Sequence, residues 1–206
     1  MRHTSATVTL SVCFGLVGCA NTGPQDPFLV VSGGQLAPNI ALGVDTSEHQ
    51  HQWVTTDNAG QHLDLAYPSG QTWGLVQFWL GMDLPEARPH EDFREFNTLQ
   101  LLLDGTWFEE AAPVSLGIAG EQPADQLFVE PVRVQLPAHS ADQGPTYYQL
   151  DLAQFDRGNS PSPRSRLTSP AAFLFSGGCG ALVQIYEIAL FKDLPSCCTP
   201  ICTKDQ

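Results

Sequence analysis

Residues 61–80 read QHLDLAYPSGQTWGLVQFWL, two alternating stretches on either side of a turn. In the first, Leu63, Leu65 and Tyr67 share one face, while His62, Asp64 and Ala66 share the other. That period of two is the mark of a half-buried strand. Pro68-Ser69-Gly70 then supplies turn chemistry. In the second stretch, Thr72–Leu80, the residues Gly74, Val76, Phe78 and Leu80 fall on one face. Trp73, Leu75, Gln77 and Trp79 fall on the opposite one. The stretch is expected to form a hairpin of two strands.

The same pattern continues outward. Thr98–Asp104 alternates Leu99, Leu101 and Leu103 against Thr98, Gln100 and Leu102. Further strands are expected at Val114–Ala119, Leu127–Leu136, Thr146–Leu152, Ala171–Ser176 and Leu182–Leu190. No window sustains a helical stripe, and Pro89–Phe96 holds a turn or two of helix at most. Asp156–Pro170 reads as a loop, because three prolines and a serine cluster cannot carry a strand ladder. Eight or more short strands without helical crossovers predict an all-β fold, an antiparallel β-sandwich or jelly roll.

Composition bounds what such a fold can do. The chain has 206 residues, 42% of them apolar, enough for one core and short for two domains. Nine basic residues face 22 acidic ones, a net charge of −13. A surface of that sign repels phosphate backbones, so no nucleic-acid partner is expected. No apolar run reaches the roughly 18–20 residues of a spanning helix.

The N-terminus reads MRHTSATVTLSVCFGLVGC. Arg2 and His3 precede a short apolar run that ends in small residues, the pattern of a secretory signal. Leu16-Val17-Gly18-Cys19 resembles the lipobox of bacterial lipoproteins. The resemblance implies a signal peptide over residues 1–18, cleavage before Cys19, and a diacylglyceryl group with palmitate-type chains on the Cys19 sulfur. Ala20 in place of aspartate implies, by lipoprotein sorting, the outer membrane of a cell that has one. Residues 19–27 then form the lipidated cysteine and a polar spacer rich in Pro and Gly. Residues 28–194 form the sandwich, and residues 195–206 a cysteine-rich tail.

Four segments, in order, resemble galactose-binding-like jelly-roll domains, the fold shared by many carbohydrate-binding modules. They are Tyr67–Gly74, Asp92–Asp104 (DFREFNTLQLLLD), Tyr147–Phe155 (YYQLDLAQF) and Val183–Leu190 (VQIYEIAL). Together they span most of residues 60–190. The sequence departs from that family at Tyr186, where the closing strand usually bears an aspartate.

Removal of the signal and lipidation of Cys19 leave Cys179, Cys197, Cys198 and Cys202. In an oxidising compartment an even set of this kind forms disulfides, worth roughly 2–4 kcal/mol each. Cys179 is expected to pair with Cys197 or Cys198, and Cys202 with the other, pinning the tail to the sheet. A site of four thiolates is the alternative, but the C-C-x-x-x-C spacing lacks the paired knuckles of structural zinc. His49 and His51 could share a strand face, though they read more simply as loop histidines. Asp45, Glu48 and Asp57 are the candidates for calcium, on position alone, and no other cofactor is expected.

No nucleophile elbow, H-E-x-x-H motif or phosphate loop is present. The acidic pairs Glu109-Glu110 and Asp92 with Glu95 are of the kind an acidic protein carries by chance, so no catalysis is expected. A glycan site needs a flat apolar platform beside polar groups. Trp73, Gln77 and Trp79 offer that on one strand face, with Asp64, Gln100 and Tyr147 expected to join from neighbouring strands. Trp53 and Trp107 lie in loop-like contexts and read as exposed aromatics, serving either ligand contact or loop closure. The function expected is a lipid-anchored envelope protein with a noncatalytic carbohydrate-binding sandwich. Its partners are then the membrane, through the anchor, and a glycan. The alternatives are an assembly lipoprotein that binds an envelope protein and, lower, a polysaccharide-active enzyme.

Overall fold

The computed structural model describes residues 11–13, 26–57, 59–81, 91–121, 132–156 and 162–192. In chain order the first strands are β1 (Ser11–Cys13), β2 (Phe28–Ser32), β3 (Gln35–Leu36), β4 (Ile40–Thr46), β5 (Val54–Thr56), β6 (Leu63–Tyr67) and β7 (Trp73–Leu80). There follow β8 (Thr98–Thr106), β9 (Val114–Gly120), β10 (Val132–Gln135), β11 (Thr146–Asp151), β12 (Leu167–Ser176) and β13 (Ala181–Phe191). Helical geometry among the described residues is confined to short 3₁₀ turns at Ala141–Gln143, Leu152–Asp156 and Pro163–Arg166.

The strands make two antiparallel sheets. One runs β1-β11-β8-β13-β2-β3, with β6 and then β5 alongside the first half of β13; the other runs β10-β9-β12-β7-β4. The inward alternates of the described strands from both sheets meet in one interior. Leu63, Leu65, Leu101, Leu103, Val183 and Ile185 from the larger sheet pack with Val76, Phe78, Leu116 and Phe173 from the smaller. Each fully buried aliphatic side chain of this kind stabilises the fold by roughly 1.5–3 kcal/mol. The chain is the antiparallel β-sandwich that the alternation predicts.

Residues 61–80 are two strands, as expected, but not a hairpin. β6 pairs with β13 and β5, whereas β7 pairs with β12 and β4. The turn is an arch from one sheet to the other, because both strands have apolar inward faces and these must oppose each other across the core. Gly70 takes φ 84°, its N–H bonds to the Gly178 carbonyl at 2.9 Å, and the Tyr67 hydroxyl donates to the Gln71 carbonyl at 3.0 Å.

Three other expectations need correction. Leu167–Pro170 belongs to strand β12 rather than to a loop, and Pro170 is tolerated there because the β12–β9 register shifts on either side of Ser169. The Ser169 hydroxyl donates to the Ala171 carbonyl at 2.9 Å within this irregularity, the kind of place where a strand accommodates proline. The strands β2 to β5 carry no long alternation; glycines and short lengths conceal them. Trp53 and Trp107 are 5% and 0% exposed, not surface aromatics. Trp53 packs edge-on against Tyr67 and Phe175, and Trp107 stacks on His139 at 4.7 Å while its indole N–H donates to the Pro137 carbonyl at 2.7 Å. Both close one end of the sandwich.

Of the expected strand Leu127–Leu136, β10 covers Val132–Gln135, and residues 127–131 lie outside the described residues. Within the expected signal peptide, β1 pairs with Tyr147–Gln149 of β11. Cleavage before Cys19 would make β11 the edge of its sheet.

Candidate functional site

The outward alternates of β7 lie on the outer face of the five-stranded sheet, and the register builds a surface around them. Leu75 is opposite Asp45 of β4 and Leu174 of β12; Leu174 is opposite Ser115 of β9, which is opposite Gln135 of β10. This row crosses all five strands, a span of about 19 Å at the usual strand spacing. Asp45, Leu75, Ser115 and Leu174 are half-buried and Gln135 is exposed. Two residues before Leu75 on β7, Trp73, 42% exposed, stands opposite Ser176. An open apolar strip of Trp73, Leu75 and Leu174 is therefore edged by a carboxylate on one side and a hydroxyl and an amide on the other. Such a strip suits a ligand with a flat apolar face and a hydroxylated rim.

The next row toward the other end is closed. Gly43, Gln77, Ala172, Gly117 and Arg133 are mutually opposite, so Gln77 stands among small residues. Gln77 is 1% exposed and its side-chain Nε2 has no hydrogen-bond partner. A buried donor left unpaired costs about 1–3 kcal/mol, and folded proteins retain few of them. Gln77 and Trp73 are four residues apart on one strand face, about 13 Å.

Trp79 shares this face, as the alternation predicts, but it is 4% exposed and is not a platform. Its indole lies over Gly43, where a Cβ would come within 2.6 Å of Nε1. Gly43→Ala is expected to displace that ring and destabilise the fold by about 1 kcal/mol, read as a lower urea midpoint with an unchanged slope.

Asp64, Gln100 and Tyr147 do not join the tryptophans, because β6, β8 and β11 belong to the other sheet. Alternation placed each on an outward face but could not say which sheet owned the strand. Two of them spend their bonds locally. Asp64 accepts from Gln184 Nε2 and interacts with His62 Nδ1, both at 3.1 Å. Gln100 accepts from Gln149 at 3.0 Å and lies 3.4 Å from Glu187 Oε1. Tyr147 is 42% exposed. Tyr186, at the position where the resembled family has its aspartate, packs on His62 at 5.1 Å. Burial, and then the Asp104, Asp57 and Asp64 carboxylates, push its phenol upward, so it stays neutral.

The residues singled out for metal do not assemble. Among the described residues no three His, Cys, Asp or Glu side chains are placed to hold an ion. Asp45 sits beside His49 and His51, at 3.4 and 3.9 Å, while Glu48 meets Gln71 through its backbone N–H. Asp57 is a loop clasp. It accepts the N–H groups of Ala59, Gln61 and His62, and the His62 bond leads in holding its carboxyl below the usual range. A lowered native pKa means stability present above the usual carboxylate range and lost as pH falls through it. Asp57→Asn is therefore expected to lower the urea midpoint near neutrality, and the difference from wild type should close in acid.

The acidic pairs do not line a cleft. Asp92 is paired with Arg94 at 2.5 Å, which holds its carboxyl down at about 2, and Glu95 is paired with Lys192 at 2.7 Å. Cys179 is exposed with a free thiol, and Cys197, Cys198 and Cys202 lie outside the described residues. Leu75, Leu174, Ser115 and Gln135 were missed by sequence reasoning. Leu75 and Leu174 look like core, and no local signal sets β12 and β9 beside β7.

The chain matches no protein-family model. It matches no curated protein. Among solved structures it is similar to the family 11 carbohydrate-binding module from Clostridium thermocellum in complex with a beta-1,3-1,4-mixed-linked tetrasaccharide. The TM-score is 0.52 at 10% identity, over 80% of this chain and 95% of that one. The family 30 module of a cellulosomal cellulase of the same organism gives 0.50 at 14%, over 82% and 95%. The Emp46p carbohydrate recognition domain in its potassium-bound form gives 0.50 at 8%, over 82% and 98%. At such identities the likeness is one of fold: the chain has the jelly-roll sandwich seen in carbohydrate-binding modules and in this recognition domain.

Proposed function

We propose that the chain is a lipid-anchored cell-envelope protein whose sandwich binds a glycan, without catalysis, on the outer face of the five-stranded sheet. One observation carries the reading. The exposed ring of Trp73 stands on the outer face of β7 beside the open strip of Leu75 and Leu174. A sugar presents an apolar face to stack on the ring and hydroxyls to meet the polar edges. The strip, edged by Asp45, Ser115 and Gln135, has the mixed character that hydroxylated rings need. The fold shared with carbohydrate-binding modules supports the same reading.

The anchor rests on Cys19 and the residues before it. Two acyl chains hold a protein on a bilayer stably where one does not. Calorimetric titration of the body from residue 28 onward with soluble polysaccharides tests the binding. Heat of binding with at least one of them, lost in Trp73→Ala, is the expected result. Silence across the panel would remove the glycan reading and leave the protein-partner alternative in its place. Separately, Cys19→Ala should shift the protein from the membrane fraction to the soluble one, and continued membrane recovery would contradict the anchor.

A further inference from the structure

Three outer strands meet along one side of the sandwich and leave it open. β4 is the outer strand of the five-stranded sheet, while β3 and β5 are outer strands of the larger one. β4 has seven residues, whereas β3 has two and β5 three. Leu42 and Val44 stand opposite Phe78 and Val76, which puts them on the inward face of β4. Leu36, opposite Val31, and Val54, opposite Leu65, are on the inward faces of β3 and β5. Inward residues of a sandwich are ordinarily covered, yet these four are only half-buried. The two short strands stop before they cover β4.

Between them lies a cavity of about 460 Å³, with Leu63 in its wall. That is the room roughly fifteen waters fill in the liquid, and it falls within the usual size of a small-molecule site. The β2–β3 turn forms another part of the wall. Gly34, at φ 72°, lies so close to the start of β6 that a Cβ there would come within 2.5 Å of the His62 backbone nitrogen.

The walls are leucine and valine, with no phenylalanine, tyrosine or tryptophan among the lining residues. They give a sugar ring no platform and suit an aliphatic body. The lining also holds no lysine or arginine, so no cation is set there for a carboxylate or phosphate head. Its polar members include His51 and Thr56. His51 Nδ1 donates to the Val44 carbonyl at 2.6 Å, which in the neutral ring leaves Nε2 to accept. The Val44 carbonyl therefore faces away from β7, and so do the N–H and C=O of Leu42, two residues earlier. Local bonds occupy both ends of this edge: the Ala37 carbonyl accepts from the Ile40 N–H, and the Thr46 carbonyl from the His49 N–H, each at 2.9 Å. What stays open around Leu42 is too short to take up another strand, but it offers a donor and an acceptor to a small head group.

We propose that this open side is a binding site for a small neutral aliphatic alcohol, its chain among Leu36, Leu42, Val44 and Val54 and its hydroxyl toward His51 and the Leu42 backbone. The site is distinct from the outer-face strip that carries Trp73, and the two readings stand or fall separately.

The test uses the unlipidated full chain in detergent-free buffer, with leucine and valine methyl groups labelled for NMR, titrated with 1-hexanol, 1-heptanol and 1-octanol. The expected result is saturable shifts of the Leu36, Leu42, Val44 and Val54 methyls. Affinity should rise roughly fourfold with each added CH₂. Octanoate should bind about tenfold more weakly than octanol, because its charge finds no partner there. His51→Leu, at an exposed position, should weaken octanol about fivefold while keeping the step per CH₂. Val54→Trp should block the cavity and abolish the shifts; if that variant melts early, the His51→Leu titration decides. Absence of saturable shifts with every alcohol, affinity indifferent to chain length, or octanoate binding as tightly as octanol would overturn the proposal. So would a polysaccharide that moves these methyls where octanol does not, which would make the cavity part of a glycan site.

Discussion

Trp73→Ala should abolish measurable glycan retention and leave the fold intact. The ring is 42% exposed at the first residue of β7 and has no place in the shared core, so its removal opens no cavity. Surface truncations away from special contacts change stability by about 0.5 kcal/mol or less. In binding, a tryptophan that supplies the apolar platform behaves as a hot spot, worth about 2 kcal/mol or roughly thirtyfold in affinity. Titration and urea melts on the same preparation separate the two. A loss of stability equal to the loss of affinity would mean that Trp73 holds the sheet rather than the ligand.

Gln77→Leu should raise stability and leave affinity unchanged. Leucine has nearly the volume of glutamine and removes the donor that Gln77 leaves unpaired at 1% exposure. Relieving that donor should stabilise the protein by about 1 kcal/mol, or about 2–4 °C in Tm for a chain of this size. The amide is closed off from a ligand on the outer face, so titration of the variant should give the wild-type affinity. A lower urea midpoint would contradict the cost assigned to the unpaired donor.

The fold was legible because burial writes itself as a period of two. Leu63, Val76 and Leu101, assigned inward faces by alternation alone, meet in one core. The sheet that owns each strand is not written there. β6 and β7 read as a hairpin because a turn rich in Pro and Gly looks the same whether it folds a strand back on its neighbour or arches to the opposite layer. That one ambiguity separated Asp64, Gln100 and Tyr147 from Trp73 and Gln77. Burial on an outer face is also invisible to alternation: Trp79 points away from the core and is nonetheless covered, with its indole against Gly43. Trp53 and Trp107 failed for a related reason, since sandwich ends are closed by side chains from loops whose local sequence looks exposed. Pro170 misled because a register shift in the ladder removes the need for its N–H.

A crystal structure with an oligosaccharide chosen from the titration panel places the ligand directly. The account predicts a sugar ring stacked on Trp73, with hydroxyls of the same chain within hydrogen-bonding distance of Asp45, Ser115 or Gln135. Density for the sugar on the eight-stranded sheet, against Tyr147 or Gln100, would contradict it.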